Sequence, residues 1–310
     1  MQNDKSFSRL APRTAPVFSG CQAASPAHNR VASRLLRRHV PRCMSDSRPI
    51  GVFDSGIGGL TVVKALRELL PNEDIFYLGD TARVPYGPKS PETVRRYAVE
   101  LAEMLMRENA KALVVACNTV SSVALPLLAD KFSVPVIGVI EPGARAALQA
   151  TSNRHIGVIG TRATIRSGAY EKALRATDNN VRVSSRACPL LVPLIEEGLL
   201  DDAVTDQVIV RYLEPLLTDG IDTLVLGCTH YPLLAGAIAR SVRLQIALVD
   251  SAQNCARAVE EMLDRESLRA APPNHGELRV ALTDAADNFL NVARDALELS
   301  FGEVELQPLP

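Results

Sequence analysis

The chain has 310 residues, of which 47% are hydrophobic and 22% charged, a composition typical of a globular protein long enough for two domains. The formal charge of −1 averages two unlike parts: residues 1–43 contain eight Lys/Arg and one Asp/Glu, so the remainder has a net charge of −8. An acidic body disfavours nucleic acid as a partner, and no apolar run approaches the ~20 residues that span a membrane.

Residues 1–48 predict a basic, disordered N-terminal extension, rich in Arg, Ser, Ala and Pro and without periodicity. A flexible extension, or translation starting at Met44, is favoured over an organelle transit peptide. A secretory signal core is excluded because basic residues interrupt the only candidate stretch: Arg37, Arg38, His39 and Arg42. The six cysteines match no disulfide framework or zinc pattern, so we expect a cytoplasmic protein without a bound metal.

The first predicted strand, Ile50–Phe53, leads through the glycine-rich turn 54–61 into a helix that runs to about Leu70. The glycines at 56, 58 and 59 do not have the spacing of a dinucleotide fingerprint, so a nucleotide is not expected. Two interpretations stay open. The turn either brings backbone amides to a small anion or is only a tight strand-to-helix connection.

A second strand, Ile75–Gly79, precedes a proline-containing loop over residues 80–88, and loops on a rigid scaffold often carry function. Ser90 is predicted to cap the helix that follows. Beyond Cys117 the pattern predicts a helix to about Phe132 and a strand over Val134–Ile140.

Glu141-Pro-Gly143 is predicted to break the pattern where the chain crosses into a second unit. Later elements are an amphipathic helix at Asp201–Leu217, a strand at Gly276–Leu282, and a final helix at Asp287–Leu299 expected to pack back on the first unit.

Two segments repeat one design: residues 112–119 and 223–230 are each a short apolar run that ends in a cysteine followed by two polar residues. The strand starts at Ile50 and Ile156 also match. This repetition predicts an α/β fold of two similar units with mainly parallel sheets, in which Cys117 and Cys228 lie at strand carboxyl ends, where ligands bind.

A lone buried cysteine usually only fills space, but two related by a repeat favour a chemical role. A thiol has a pKa of ~8.5, so a thiolate and a thiol on opposite faces of one carbon could remove and return a proton and invert the centre. Asp54 and His230 could assist the thiols, although a turn role and a polar core role are the ordinary alternatives. Hydrogen bonds to a substrate carboxylate could come from Asn118, Thr119 and Thr229.

Four motifs in this order resemble the glutamate racemase family over about residues 49–310: Phe53–Val62, Gly79–Gly87, Ala116–Thr119 and Leu226–Leu234. The resemblance implies cofactor-independent exchange of L- and D-glutamate for bacterial peptidoglycan. It also implies that Cys117 deprotonates the D-enantiomer and Cys228 the L-enantiomer. The implied substrate contacts are Asp54, Ser55, Tyr86, Gly87, Asn118, Thr119, Thr229 and His230. A glutamate assisting the second thiol corresponds to Glu196, with Glu197 as the alternative.

The resemblance further implies two pseudo-symmetric domains with the site in the cleft between them, and a homodimer. The first domain would comprise residues 49–141 plus about 256–310, and the second residues 142–255. Two alternatives stay open: a racemase of aspartate or another amino acid, and a small-anion binding module. A cysteine hydrolase is disfavoured because it needs one activated thiol, whereas the repeat places two thiols alike. A pyridoxal enzyme is disfavoured because no lysine outside the N-terminal extension follows a strand beside a site motif.

Overall fold

The computed structural model describes residues 46–242, 246–272, 274–285, 298–299 and 301–309. The predicted disordered extension falls almost wholly outside these ranges, as does the helix predicted at Asp287–Leu299. Among the described helices, none combines the length and apolar character that crossing a bilayer requires.

Strands and helices alternate along most of the described chain. The strands are β1 (Ile50–Asp54), β2 (Ile75–Gly79), β3 (Ala112–Val115), β4 (Val136–Gly138), β5 (His155–Gly160), β6 (Arg182–Ala187), β7 (Thr223–Gly227), β8 (Ala247–Asp250), β9 (Leu278–Leu282) and β10 (Val304–Leu306). The α-helices are α1 (Leu60–Leu69), α2 (Pro91–Arg107), α3 (Asn118–Lys131), α4 (Ile140–Ala150), α5 (Arg162–Ser167), α6 (Ala169–Thr177), α7 (Leu191–Glu196), α8 (Ala203–Asp219), α9 (Ala235–Ser241) and α10 (Ser251–Arg265). A short 3-10 helix covers Tyr231–Leu234.

The strands form two parallel sheets, which confirms the predicted α/β fold. One has the order β10-β9-β2-β1-β3-β4 and the other β6-β5-β7-β8. Every residue of β1, β3, β5 and β7 is buried, as expected for apolar strands covered on both faces by helices.

The internal repeat is visible in the pairing of the strands. In the first sheet β1 lies between β2 and β3, with Ile50 opposite both Ile75 and Ala112. In the second sheet β5 lies between β6 and β7, with Ile156 opposite both Val183 and Thr223. The order β2-β1-β3-β4 therefore corresponds to β6-β5-β7-β8, and the two cysteine-bearing strands occupy equivalent places.

The sequence prediction that Glu141-Pro-Gly143 breaks the secondary-structure pattern was wrong. These residues form the first turn of α4, and the strand predicted at Val134–Ile140 is shorter, β4. Proline is tolerated there because first-turn amides have no acceptor within the helix, and the acidic Glu141 favours the positive end of the helix dipole.

The described residues form one compact unit, and one hydrophobic cluster runs through both sheets. Helix α10 packs against both α1 and α4, so it contacts helices associated with each sheet. The division into domains at residues 141/142 and about 255/256 stays a prediction.

Candidate active site

Cys117 lies two residues beyond β3 and caps the N-terminus of α3 with extended backbone (φ −66°, ψ 119°). It is only 4% exposed, and its Sγ donates to Ser55 Oγ at 3.4 Å. Burial raises the pKa of the Cys117 thiol to about 12, and the nearby Asp54 carboxylate adds to the increase. The protein therefore holds this sulfur as a protonated thiol.

Cys228 follows β7 directly and is 5% exposed. Its Sγ lies 3.8 Å from His230 Nδ1, and Nε2 of the same ring lies 3.3 Å from Glu196 Oε1. Burial lowers the pKa of His230, but its hydrogen bonds to Cys228 and Glu196 outweigh that effect and raise the pKa to about 10. A cationic imidazole beside Cys228 stabilises negative charge on this sulfur.

Both cysteines line one cavity of about 200 Å³. Its wall also contains most of the other predicted site residues: Ser55, Tyr86, Gly87, Asn118, Thr119, Glu196, Thr229 and His230. The polar groups come from strand ends of both sheets, in agreement with the rule that ligands bind beyond the carboxyl ends of parallel strands. The described residues contain no cluster of three or more His, Cys, Asp or Glu side chains placed to hold a metal ion.

Asp54 is the one predicted site residue that does not line this cavity. Its carboxylate is fully buried, and Oδ2 accepts the amides of Gly56 and Gly59, each at 3.2 Å. Thr229 donates to Oδ1 at 3.5 Å. Burial raises the pKa of Asp54, and the charge of His230 opposes that increase. Asp54 thus organises the turn beside the site, and it reaches the cavity wall through Thr229.

The glycine-rich turn does direct amides at an anion, but the anion is the protein's own Asp54 carboxylate. The turn also packs tightly against the second thiol's neighbours. A Cβ atom at Gly58 would lie 2.5 Å from His230 Nδ1 and 2.6 Å from Thr229 Oγ1. Glycine is needed at this position because any side chain would displace the imidazole.

The loop after β2 carries Tyr86 and Gly87 to the cavity, and the buried carboxylate of Asp80 holds this loop in place. Tyr86 donates its hydroxyl to Asp80, which also accepts from Arg83 Nε at 2.6 Å and from Thr283 Oγ1 at 2.9 Å. Because Thr283 follows β9, the chain segment that returns late in the sequence helps to hold this loop.

Asn118 and Thr119 begin α3 at the cavity wall. Asn118 Oδ1 accepts a hydrogen bond from Tyr170 at 2.7 Å, whereas its buried Nδ2 has no partner among the described residues. Thr119 Oγ1 lies 2.9 Å from Thr161 Oγ1 in the second sheet's half of the site. Asn118 Nδ2 and Thr119 Oγ1 thus place hydrogen-bonding groups at the cavity wall.

The sequence reasoning missed several lining residues, among them Thr161, Arg162, Val192 and Tyr231. Thr161 could have been found, because it follows β5 as Ser55 follows the equivalent strand β1. The choice between Glu196 and Glu197 also needed the structure. Only Glu196 lines the cavity and pairs with His230.

Comparison with known proteins agrees with this geometry. A profile of the family described as Asp/Glu/Hydantoin racemase matches residues 50–259. A glutamate racemase from Geobacter metallireducens is 49% identical over 257 residues, which cover 83% of this chain and 95% of the relative. One from Neisseria gonorrhoeae is 45% identical over 263 residues, covering 84% and 97%.

Solved structures agree as well. A glutamate racemase isoform from Bacillus anthracis superimposes with a TM-score of 0.81 at 42% identity, covering 84% of this chain and 98% of that one. A glutamate racemase from Francisella tularensis in complex with D-glutamate gives a TM-score of 0.79 at 38% identity, covering 85% and 98%.

The fold and the profile define a racemase of the Asp/Glu/Hydantoin family, an isomerase built on two related parallel sheets. The relatives that match over most of their length at 42–49% identity are glutamate racemases, so the chain belongs to the glutamate racemase family. The family and enzyme class predicted from the four motifs are confirmed.

Proposed function

We propose that the chain interconverts L- and D-glutamate without a cofactor, and that Cys117 and Cys228 exchange the Cα proton on opposite faces of the substrate. One observation carries the proposal: two buried thiols from equivalent strands line a single cavity. A thiolate is the reactive form of cysteine, and the two thiols differ in the charges that surround them.

In the direction from L to D, the Cys228 thiolate takes the proton from Cα, and the electron pair left on Cα delocalises into the α-carboxylate. The Cys117 thiol then donates its proton to the opposite face, which gives D-glutamate and a Cys117 thiolate. The imidazolium of His230, held by Glu196, lies beside the Cys228 sulfur and attracts the negative charge that this sulfur carries in the reaction. In the other direction the two cysteines exchange roles.

Donors around the cavity complete the scheme. Asn118, Thr119 and Thr229 bind the α-carboxylate and stabilise the charge that develops there during proton transfer. Ser55, Tyr86 and Gly87 bind the rest of the substrate, with His230 beside the second sulfur. Glutamate is favoured over aspartate as the substrate because the structurally similar Francisella tularensis enzyme was solved with D-glutamate.

This reaction supplies D-glutamate for peptidoglycan. We place the enzyme in the cytoplasm, with residues 49–141 and about 256–310 forming one domain and residues 142–255 the other. The sheet membership of the strands supports this division, because β1–β4, β9 and β10 form one sheet and β5–β8 the other. A homodimer is the proposed oligomeric state.

Isotope exchange in D2O tests the assignment of the two thiols. The wild-type protein should racemise either enantiomer, followed by circular dichroism, and place deuterium at Cα of the product. Cys117→Ala should lose racemisation but still exchange the Cα proton of L-glutamate through Cys228. Cys228→Ala should exchange only D-glutamate.

Cys255→Ala is the matched control, because Cys255 is also a fully buried thiol but does not line the cavity. Its activity should equal that of wild type. Near-full racemisation by either cavity-cysteine variant would overturn the two-thiol scheme. Unchanged rotation with folded, reduced wild-type protein would instead favour a binding module.

A further inference from the structure

Asn118 presents an unusual combination in the cavity wall. Its carboxamide is buried, its oxygen is engaged and its NH2 group has no partner among the described residues. A primary amide can rotate by half a turn and exchange its donor and acceptor positions at little steric cost. A fixed donor toward the substrate therefore requires something to hold the oxygen on the other side.

Tyr170, in a helix that packs on the second sheet's side of the cavity, holds the oxygen of Asn118. It is the second residue of α6, it does not line the cavity, and its hydroxyl donates to Asn118 Oδ1 at 2.7 Å. Burial raises the pKa of Tyr170, so the hydroxyl keeps its proton throughout the physiological range and acts as a donor.

The ring of Tyr170 lies beside two glycines. A Cβ at Gly143 in α4 would lie 3.5 Å from Tyr170 Cε1 and from its hydroxyl oxygen, and a Cβ at Gly227, next to Cys228, would lie 3.1 Å from Cε2. The backbone at Gly227 thus approaches the ring closely, and Gly143 leaves room for it on the other side. The hydroxyl has a second hydrogen-bond partner, the side chain of Ser251.

We propose that Tyr170 is a positioning residue that fixes the carboxamide of Asn118 so that its NH2 group donates to the substrate carboxylate. The inference rests on the proposed function, since it requires glutamate in this cavity. It also couples the two halves of the site, because the donor belongs to α6 and the amide that it orients belongs to α3.

A double-mutant cycle tests the proposal, with calorimetric Kd for D-glutamate and racemisation kinetics as readouts. Tyr170→Phe should raise Kd about tenfold, the cost of one hydrogen bond to a charged group, and lower kcat/KM by at least the same factor, because Asn118 also stabilises the charge that develops during proton transfer. Asn118→Ala should change both constants at least as much. Tyr170→Phe added to Asn118→Ala should have no further effect, because a residue that acts only through Asn118 has nothing left to orient.

Tyr212→Phe on α8 is the matched control. It removes the same atom from a tyrosine that does not line the cavity, and its constants should equal those of wild type. Thermal melts establish that each variant is folded. Multiplying effects in the double variant would show that Tyr170 supports the fold generally and would overturn the proposal, as would a wild-type Kd in Tyr170→Phe.

Asn118→Asp keeps Tyr170 in place and tests the same point without altering α6. Tyr170 would then donate to one carboxylate oxygen and the other would face the substrate, so Kd should rise more than in Asn118→Ala. Wild-type affinity in this variant would overturn the proposal. A wild-type protein that binds D-glutamate but does not racemise it contradicts the proposed function alone, whereas one that binds none contradicts both.

Discussion

Iodoacetamide should modify Cys228 well before Cys117, although both thiols are almost equally buried. The two are 5% and 4% exposed, so access does not separate them. The charges around the two cysteines differ and do separate their reactivities. Cys228 has the imidazolium of His230 beside it, whereas burial and the Asp54 carboxylate raise the pKa of Cys117 to about 12. Alkylation proceeds through the thiolate, so it reports this difference.

The magnitude follows from the pKa of Cys117. At pH 8 a thiol of pKa about 12 is ionised to roughly one part in 10⁴, compared with about a quarter for an ordinary cysteine of pKa ~8.5. The more basic thiolate is the better nucleophile, which recovers roughly 1.5 powers of ten. Cys117 should therefore react about 10²-fold more slowly than an unperturbed thiol of equal access.

The assay is brief alkylation at pH 8 followed by digestion and peptide mass spectrometry. Cys255 serves as an internal reference, because it is fully buried and burial raises its pKa to about 12 as well. His230→Asn should slow the labelling of Cys228 toward that of Cys117. The reasoning is refuted if Cys117 is labelled as fast as Cys228, or if His230→Asn leaves the rate at Cys228 unchanged.

Three further predictions concern the surroundings of the second thiol. Gly58→Ala should lower kcat at least about tenfold in the circular dichroism assay, because the new Cβ displaces His230. Gly236→Ala is the control and should keep wild-type activity, because a Cβ there would meet only Arg240 Nη1 at 3.9 Å. Equal activities of the two variants would contradict the prediction. The pKa of His230 is raised to about 10 from ~6.5, so its charge stabilises the fold fully below pH ~6.5 and progressively less up to pH ~10. The wild-type Tm should therefore fall more between pH 7 and 10 than the Tm of His230→Asn. Parallel curves of Tm against pH would exclude the effect. Glu196→Gln should lower activity more than Glu197→Gln because Glu196 Oε1 lies 3.3 Å from His230 Nε2 and Glu197 does not line the cavity. The reverse order would reassign the supporting carboxylate.

Strand positions were predictable because parallel strands covered on both faces are continuous apolar runs with polar residues at their ends. The strand Ile75–Gly79 has the predicted bounds. Helix α2 begins after Ser90, whose side chain accepts the Thr93 amide as the capping pattern predicts. Glu141-Pro-Gly143 was misjudged because proline and glycine also fit a first helical turn, where only the tertiary packing decides.

The candidate site was predictable where it depends on strand ends and not where it depends on contacts across the fold. Cys117 and Cys228 follow equivalent strands, so the repeat alone indicated them. Tyr170 carries no such signal, since only the packing of α6 brings its hydroxyl to Asn118. The resemblance implies that Asp54 contacts the substrate, and this stays a prediction. In the structure its carboxylate accepts amides of the glycine turn, which is the turn role considered from the residues alone.

The asymmetry of the two thiols has a thermodynamic limit. L- and D-glutamate have equal free energies in water, so the equilibrium constant of racemisation is one, and kcat/KM must be equal in the two directions for wild type and for every variant. Of the two thiols His230 contacts Cys228, yet His230→Asn must lower kcat/KM by the same factor for both enantiomers. The unequal support of the two sulfurs can therefore appear only in kcat and KM separately, with differences that cancel in their ratio. Measuring each constant for both enantiomers shows which direction begins from the favoured charge state of the two sulfurs.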